Sequence, residues 1–79
     1  MARKLSRVSF TLRDDAAFIP LIALLKAAGV VATGGEAQEA VAAGMVLRNG
    51  EVETRKRAKI AAGEVVVFGN FEIYVEGSE

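Results

Sequence analysis

The chain has no cysteine, no histidine and a single proline among its 79 residues. Without cysteine there is no disulfide to staple a small domain, which fits a reducing compartment. Zinc sites draw their ligands mainly from cysteine and histidine, and most nucleophile–base triads need an imidazole. Neither a metal site nor a catalytic triad is therefore expected. Aromatic residues make up only 6% of the chain, too few to line a platform on which an extended single-stranded nucleic acid would stack. Nor is there an excess of either charge: ten Lys and Arg balance ten Asp and Glu. That excludes a protein that coats a polyanion by bulk charge alone.

The composition is that of one small folded domain, residues 1–79. Hydrophobic residues make up 52%, too many for a disordered chain. At this length the core is thin. The apolar run Phe18 to Val31 follows a basic N-terminus, as in a signal segment. Asp14 and Asp15 precede it and Lys26 interrupts it, so a helix of the core is the expected reading, with no membrane span. The charges are unevenly spread. Arg3, Lys4, Arg7 and Arg13 precede the first acid, no acid lies between Thr54 and Ala62, and beyond Lys59 only acids follow. One basic and one acidic face are expected.

Val8, Phe10 and Leu12 alternate with Ser9 and Thr11, as in a half-buried strand. Residues 1–7 and 77–79 are expected to be frayed tails. Asp14 and Asp15 mark a turn rather than a catalytic carboxylate pair. Pro20 suits a helix start, and Leu21, Ile22, Leu24, Leu25 and Ala28 follow at helical spacing, closed by Gly29. Thr33 and Glu36 form a capping box that opens a second helix over about Gly35 to Ala43, with Ala37, Ala40 and Val41 on its inner face. Strands are expected over Glu64 to Phe68 and Phe71 to Val75, joined at Gly69-Asn70. Phe10, Phe18, Phe68 and Phe71 fall in apolar patterns and are assigned to the core. The order of strand, two helices and several short strands defines a small α+β domain.

The stretch from Met45 to Ile60 organises the rest. Asn49-Gly50 supplies the positive φ angles of a type I′ hairpin turn. Beyond it Arg55, Lys56, Arg57 and Lys59 gather four of the chain's ten cations. Such a run can meet successive phosphates, with Arg as a planar fork and Lys as a point charge. It can equally be a solvated segment that keeps a sheet edge soluble. Strand alternation puts Arg48 on the same face as Val46, so its stem lies along the core edge or its head faces a ligand. Gly34-Gly35 opens the second helix, where a phosphate could approach free N–H groups, although Thr33 and Glu36 already satisfy such donors.

The pattern Gly44-x-Val46, Asn49-Gly50 and Gly63-Glu64-x-Val66, following two short helices, resembles the αL RNA-binding motif first described in small-subunit ribosomal protein S-four. Leu24-Leu25-Lys26, Gly34-Gly35-Glu36-Ala37 and Glu53-Thr54-Arg55-Lys56-Arg57 are similar to its small stand-alone bacterial subgroup, the YbcJ-like proteins. The resemblance spans about Phe18 to Val75. It implies two short packed helices followed by a small, mostly antiparallel sheet of short strands. It also implies binding of structured RNA and no catalysis. The chain departs from the family pattern at Gly35-Glu36, where many members carry Ser-Arg, and at Arg48, where an apolar residue is usual.

These readings converge on a cytoplasmic, monomeric RNA-binding module that needs no cofactor, metal, membrane or small-molecule substrate. Its partner would be structured RNA, ribosomal or transfer RNA first among them, recognised by shape and backbone. The candidate contacts are Arg55, Lys56, Arg57 and Lys59, with Arg48, Lys26, Gly34 and Gly35 in support. The alternative is a protein-interaction adapter that uses the same basic loop or the acidic C-terminal sheet. A ubiquitin-like sulfur carrier would end in Gly-Gly, and this chain ends in Gly77-Ser78-Glu79.

Overall fold

The structure is a computed structural model that describes residues 5–77. The first strand, β1 (Ser6–Thr11), is followed by a two-residue strand, β2 (Ile19–Pro20), and two helices, α1 (Leu21–Ala27) and α2 (Gly34–Ala42). Five short strands complete the chain: β3 (Val46–Arg48), β4 (Glu51–Val52), β5 (Lys59–Ile60), β6 (Val65–Phe68) and β7 (Phe71–Glu76). The main sheet has the order β1-β7-β6-β3-β4, antiparallel except that β1 joins β7 in parallel. β2 and β5 form a separate antiparallel pair.

The expected α+β architecture is present, with the helices where the 3.6-residue spacing placed them. Pro20 is the residue before α1 rather than inside it, and its φ of −61° suits that position. At α2 the capping box forms in full: Thr33 Oγ1 accepts the Glu36 N–H at 3.1 Å, and Glu36 Oε1 accepts the Thr33 N–H at 3.2 Å. The hairpin turn has the predicted left-handed pair, Asn49 at φ 51° and Gly50 at φ 88°.

The core lies between the helix pair and one face of the sheet. Leu21, Leu24 and Leu25 of α1 pack with Ala37 and Val41 of α2, and all five are fully buried. The sheet contributes Val46, Val66 and Ile73, also fully buried. Cross-strand register puts Arg48, Val66, Ile73 and Val8 in one row of that inner face. A charged residue therefore ends a row of core residues. Among the described residues, no helix is long and apolar enough to cross a membrane.

Three expectations are corrected. The N-terminal tail was expected to run to residue 7, but Ser6 and Arg7 are paired with Phe71 and Glu72 in the β1–β7 ladder. Residues 1–4 and 78–79, the remainder of the expected tails apart from Leu5 and Gly77, lie outside the described residues. Phe18 and Phe71 are not core residues; they are 39% and 37% exposed. Phe18 immediately precedes the small β2–β5 pair, and Phe71 opens β7 beside the Gly69-Asn70 turn. Alternation identifies a face but does not say whether anything covers it at that point. Phe10 and Phe68 do pack against the core.

Candidate nucleic-acid interface

The basic segment is held by its backbone and by two small anchors. Ala58 is 6% exposed and Ile60 is fully buried, so alternate residues point into the core while Arg57 and Lys59 point out. β5 pairs with β2, with Ile60 opposite Ile19 and Lys59 opposite Pro20. Just upstream, the carbonyls of Ala58 and Lys56 accept the N–H groups of Leu21 and Ile22 at 2.9 and 3.1 Å. Those amides are orphan donors of the first turn of α1, which has no side-chain cap. The segment thus caps a helix with its main chain rather than with its side chains.

Beneath it lies a charge network that the local sequence does not announce. Arg48 Nε donates to Glu64 Oε1 at 2.6 Å, and Arg48 Nη2 donates to Glu64 Oε2 at 3.1 Å and to the Lys59 carbonyl at 2.8 Å. Its Nη1 donates to Glu53 Oε1 at 3.2 Å. Four of the five guanidinium N–H donors are thereby directed at internal acceptors. Glu53, only 8% exposed, also receives Arg55: Nε to Oε2 at 3.0 Å, Nη2 to Oε1 at 3.1 Å and the Arg55 N–H to Oε2 at 3.1 Å. Asn49 joins the far end, with Nδ2 on Glu64 Oε1 at 3.1 Å and Oδ1 accepting the Val65 N–H at 3.0 Å.

The titration of these groups follows the bonds. The Arg55 hydrogen bonds, helped by Arg48 and opposed by burial, lower the Glu53 carboxyl to about 2. Glu64 is lowered by its bonds to Arg48, and Arg48 is raised chiefly by Glu64. Arg55 is raised by Glu53. All four groups are held in their charged forms.

The candidate residues separate accordingly. Arg48, Arg55, Arg57 and Lys59 surround one open depression of about 510 Å³. Arg57 is exposed on its rim, and Lys56, next in the chain, is also exposed; among the described residues neither is in an ion pair. Lys59 lies over the Phe18 ring, its Nζ 5.1 Å from the centroid. Arg55 is reachable, with 75% of its side chain exposed, but shares its charge with Glu53. Arg48 is committed to the protein, because Glu53, Glu64 and the Lys59 carbonyl engage its guanidinium. Lys26 is exposed in the last turn of α1, at the opposite end of that helix from the basic segment, and does not line the depression. Gly34 and Gly35 open α2, where Glu36 Oε1 also accepts the Ala32 N–H at 2.8 Å. A carboxylate already occupies that helix end, so it offers less to an anion than the glycines alone suggest.

Sequence reasoning missed Glu53, Glu64 and the exposure of Phe18. The Glu53-x-Arg55 spacing was a usable local signal. Glu64 had none, because its partner Arg48 is sixteen residues away. The acids that seemed to form a separate face are partly consumed: Glu64 by Arg48, and Glu72 by Arg7, whose Nε lies 3.7 Å from Glu72 Oε1.

The sequence model of the S4 domain matches residues 10–76. The protein of Escherichia coli (strain K12) named "Putative RNA-binding protein YbcJ" is 44% identical over 57 residues, which cover 72% of this chain and 81% of that protein. YbcJ of Shigella flexneri matches to the same extent. The solution structure of Escherichia coli YbcJ, described as revealing an αL motif involved in RNA-binding, superposes with a TM-score of 0.70 at 37% identity. It covers 96% of this chain and 95% of that one. Sequence, fold and the two-helix arrangement agree: this chain belongs to the S4 domain family, with the αL motif of its YbcJ-like members.

Proposed function

We propose that the chain is a non-catalytic module that binds structured RNA through the exposed side chains of Lys56, Arg57 and Lys59, with Arg55 in support. Ribosomal and transfer RNA are the first candidates, bound by a cytoplasmic monomer. The observation that carries this reading is a set of outward cations on a segment whose main chain is fixed at both the α1 N-terminus and the β2–β5 pair. Side chains on a fixed backbone lose less freedom on meeting phosphates than those on a mobile loop. The YbcJ relatives, one of them named for RNA binding, support the same ligand class.

The near-neutral net charge fits a local contact rather than a coat, because Arg48 and Arg55 are already balanced by Glu53 and Glu64. Lys26 and Gly34-Gly35 are secondary contacts in this reading. A protein-interaction adapter is less well supported, since two of the acids it would present, Glu64 and Glu72, are engaged within the chain.

The test is fluorescence anisotropy with a labelled transfer RNA and a ribosomal RNA stem-loop, from low to physiological salt. Wild type should bind more weakly as salt rises. The Lys56→Ala/Arg57→Ala variant should bind more weakly and with a shallower slope, by roughly 0.7–0.9 for each phosphate contact removed. Equal slopes for the two proteins would sink the assignment of the site. Displacement by an acidic peptide as readily as by RNA would favour the adapter.

A further inference from the structure

We infer that Phe18 is a stacking step for one unpaired nucleobase beside the basic segment, so that the protein prefers folded RNA carrying an extruded base to an uninterrupted duplex. This rests on the RNA-binding reading above and specifies which feature of the RNA is recognised. The juxtaposition that carries it is the pairing of an exposed phenylalanine with a cation of the proposed phosphate site. Phe18 is 39% exposed, and Lys59 Nζ stands 5.1 Å from its ring centroid.

Lys59 and Phe18, in contact with each other, line two surface features of different chemistry. On one side is the basic depression, about 510 Å³, lined by Arg55, Arg57 and Lys59. On the other is an apolar groove, also about 510 Å³, to which Phe10, Leu12, Phe18 and Ile19 contribute, with Arg13 at its edge. Both fall within the usual size of small-ligand sites. A nucleotide presents the same two chemistries side by side, an anionic phosphate and a flat apolar base. The β2–β5 pair, with Ile19 opposite Ile60 and Pro20 opposite Lys59, fixes the neighbouring backbone of both residues. The stack would therefore meet little ordering cost in the protein.

A whole single strand is not the ligand. Phe18 is the one aromatic residue among those lining the two features apart from Phe10, which packs against the core. One exposed ring serves one base. Stems and loops of structured RNA supply such bases at bulges and mismatches, where the unstacking cost is lowest.

The experiment uses two hairpin RNAs identical except for a single unpaired purine in the stem, titrated against wild type, Phe18→Ala and Phe18→Trp. Base–aromatic stacking is worth roughly 5- to 150-fold in affinity. Wild type and Phe18→Trp should favour the bulged hairpin by about tenfold. Phe18→Ala should bind both hairpins alike, at the wild-type affinity for the uninterrupted stem. The Phe18 ring proton resonances should move upfield with the bulged hairpin only, a readout that general destabilisation would not produce. Salt-dependent binding of both hairpins by wild type with no preference, or a preference that survives in Phe18→Ala, overturns the inference and leaves the RNA-binding reading standing. No binding of either hairpin even at low salt overturns both.

Discussion

Arg48 Nε lies 2.6 Å from Glu64 Oε1, and the same guanidinium reaches Glu53 and the Lys59 carbonyl. One side chain thus ties the β3–β4 hairpin, the start of the β6–β7 hairpin and the basic segment together. Its position in a row with Val66 and Ile73 means that its stem is packed while its head reaches the rim.

Replacement of Arg48 by methionine should preserve most of the packing but leave Glu64 without its main partner and take one of its hydrogen bonds from Glu53. Removing one member of a partly buried pair costs more than the pair itself contributes, and a loss of about 2 kcal/mol is expected. Urea unfolding should show a lower midpoint with an unchanged m value. Arg48→Lys should recover only part of the loss, because an ammonium cannot offer a fork to Glu64 while also reaching Glu53. Full stability in Arg48→Met would show that the network is dispensable.

Acid should unfold the protein partly through Glu53 and Glu64. Glu53 has its carboxyl lowered from an ordinary value of 4.5 to about 2, and Glu64 is lowered too. The folded state therefore binds fewer protons than the unfolded one between those values. The corresponding stability is present above about pH 4.5 and is lost as pH falls towards 2. Thermal unfolding followed from pH 6 to pH 2.5 should show this decline, and Glu53→Gln should flatten it. An identical pH profile in Glu53→Gln would remove Glu53 as a cause.

Arg55 and Arg57 should behave differently although both are exposed. Arg57→Ala removes a cation and nothing else, so RNA affinity and its salt slope should fall while unfolding is unchanged. Arg55→Ala also withdraws the hydrogen bonds that hold down the Glu53 carboxyl, so that carboxyl should titrate at higher pH. Carboxyl-detected NMR titration of Glu53 in the two variants separates the roles. A Glu53 titration that is the same in both would show that Arg55 does not hold it.

Gly34→Ala and Gly35→Ala test the opening of α2. A methyl group at Gly34 would meet nothing within 4 Å, and one at Gly35 would sit 3.8 Å from Thr33 Oγ1, an ordinary contact. Both residues are helical, so alanine should stabilise the chain by about 0.4–1 kcal/mol for each substitution. If RNA approaches the backbone here, the stabilised variants should bind more weakly. Undiminished binding would remove the two glycines from the interface.

Much of this was legible in the sequence for local reasons. Helix α2 is announced by Thr33 and Glu36, three residues apart, and its cap forms as read. Asn49-Gly50 specifies a turn that few other pairs can make. The αL pattern lies in short-range spacings of the same kind, so the fold could be recognised from them. Phe18 and Arg48 were harder. Phe18 sits in an apolar run whose pattern predicts burial, yet beside the small β2–β5 pair it stays 39% exposed, with Lys59 over its ring. Arg48 was placed correctly on the inner face, but whether its head faced water, RNA or another residue depended on where residue 64 would lie.

The sequence by itself determined the two helices, the β3–β4 and β6–β7 hairpins, the turn chemistry, the family and the concentration of cations between Arg55 and Lys59, because each depends on residues a few positions apart. Tertiary structure alone decided that β1 joins β7 in parallel and that the carbonyls of the basic segment cap α1. It also decided which cations remain free for a ligand. Arg48 is neutralised by a glutamate sixteen residues away, and Arg55 by one two residues away. Lys56 and Arg57 lie in the same basic run and are not engaged in this way. Charge counted along a chain treats all four alike; distance in space separates them, because the attraction between charges falls with separation and only folding sets that separation.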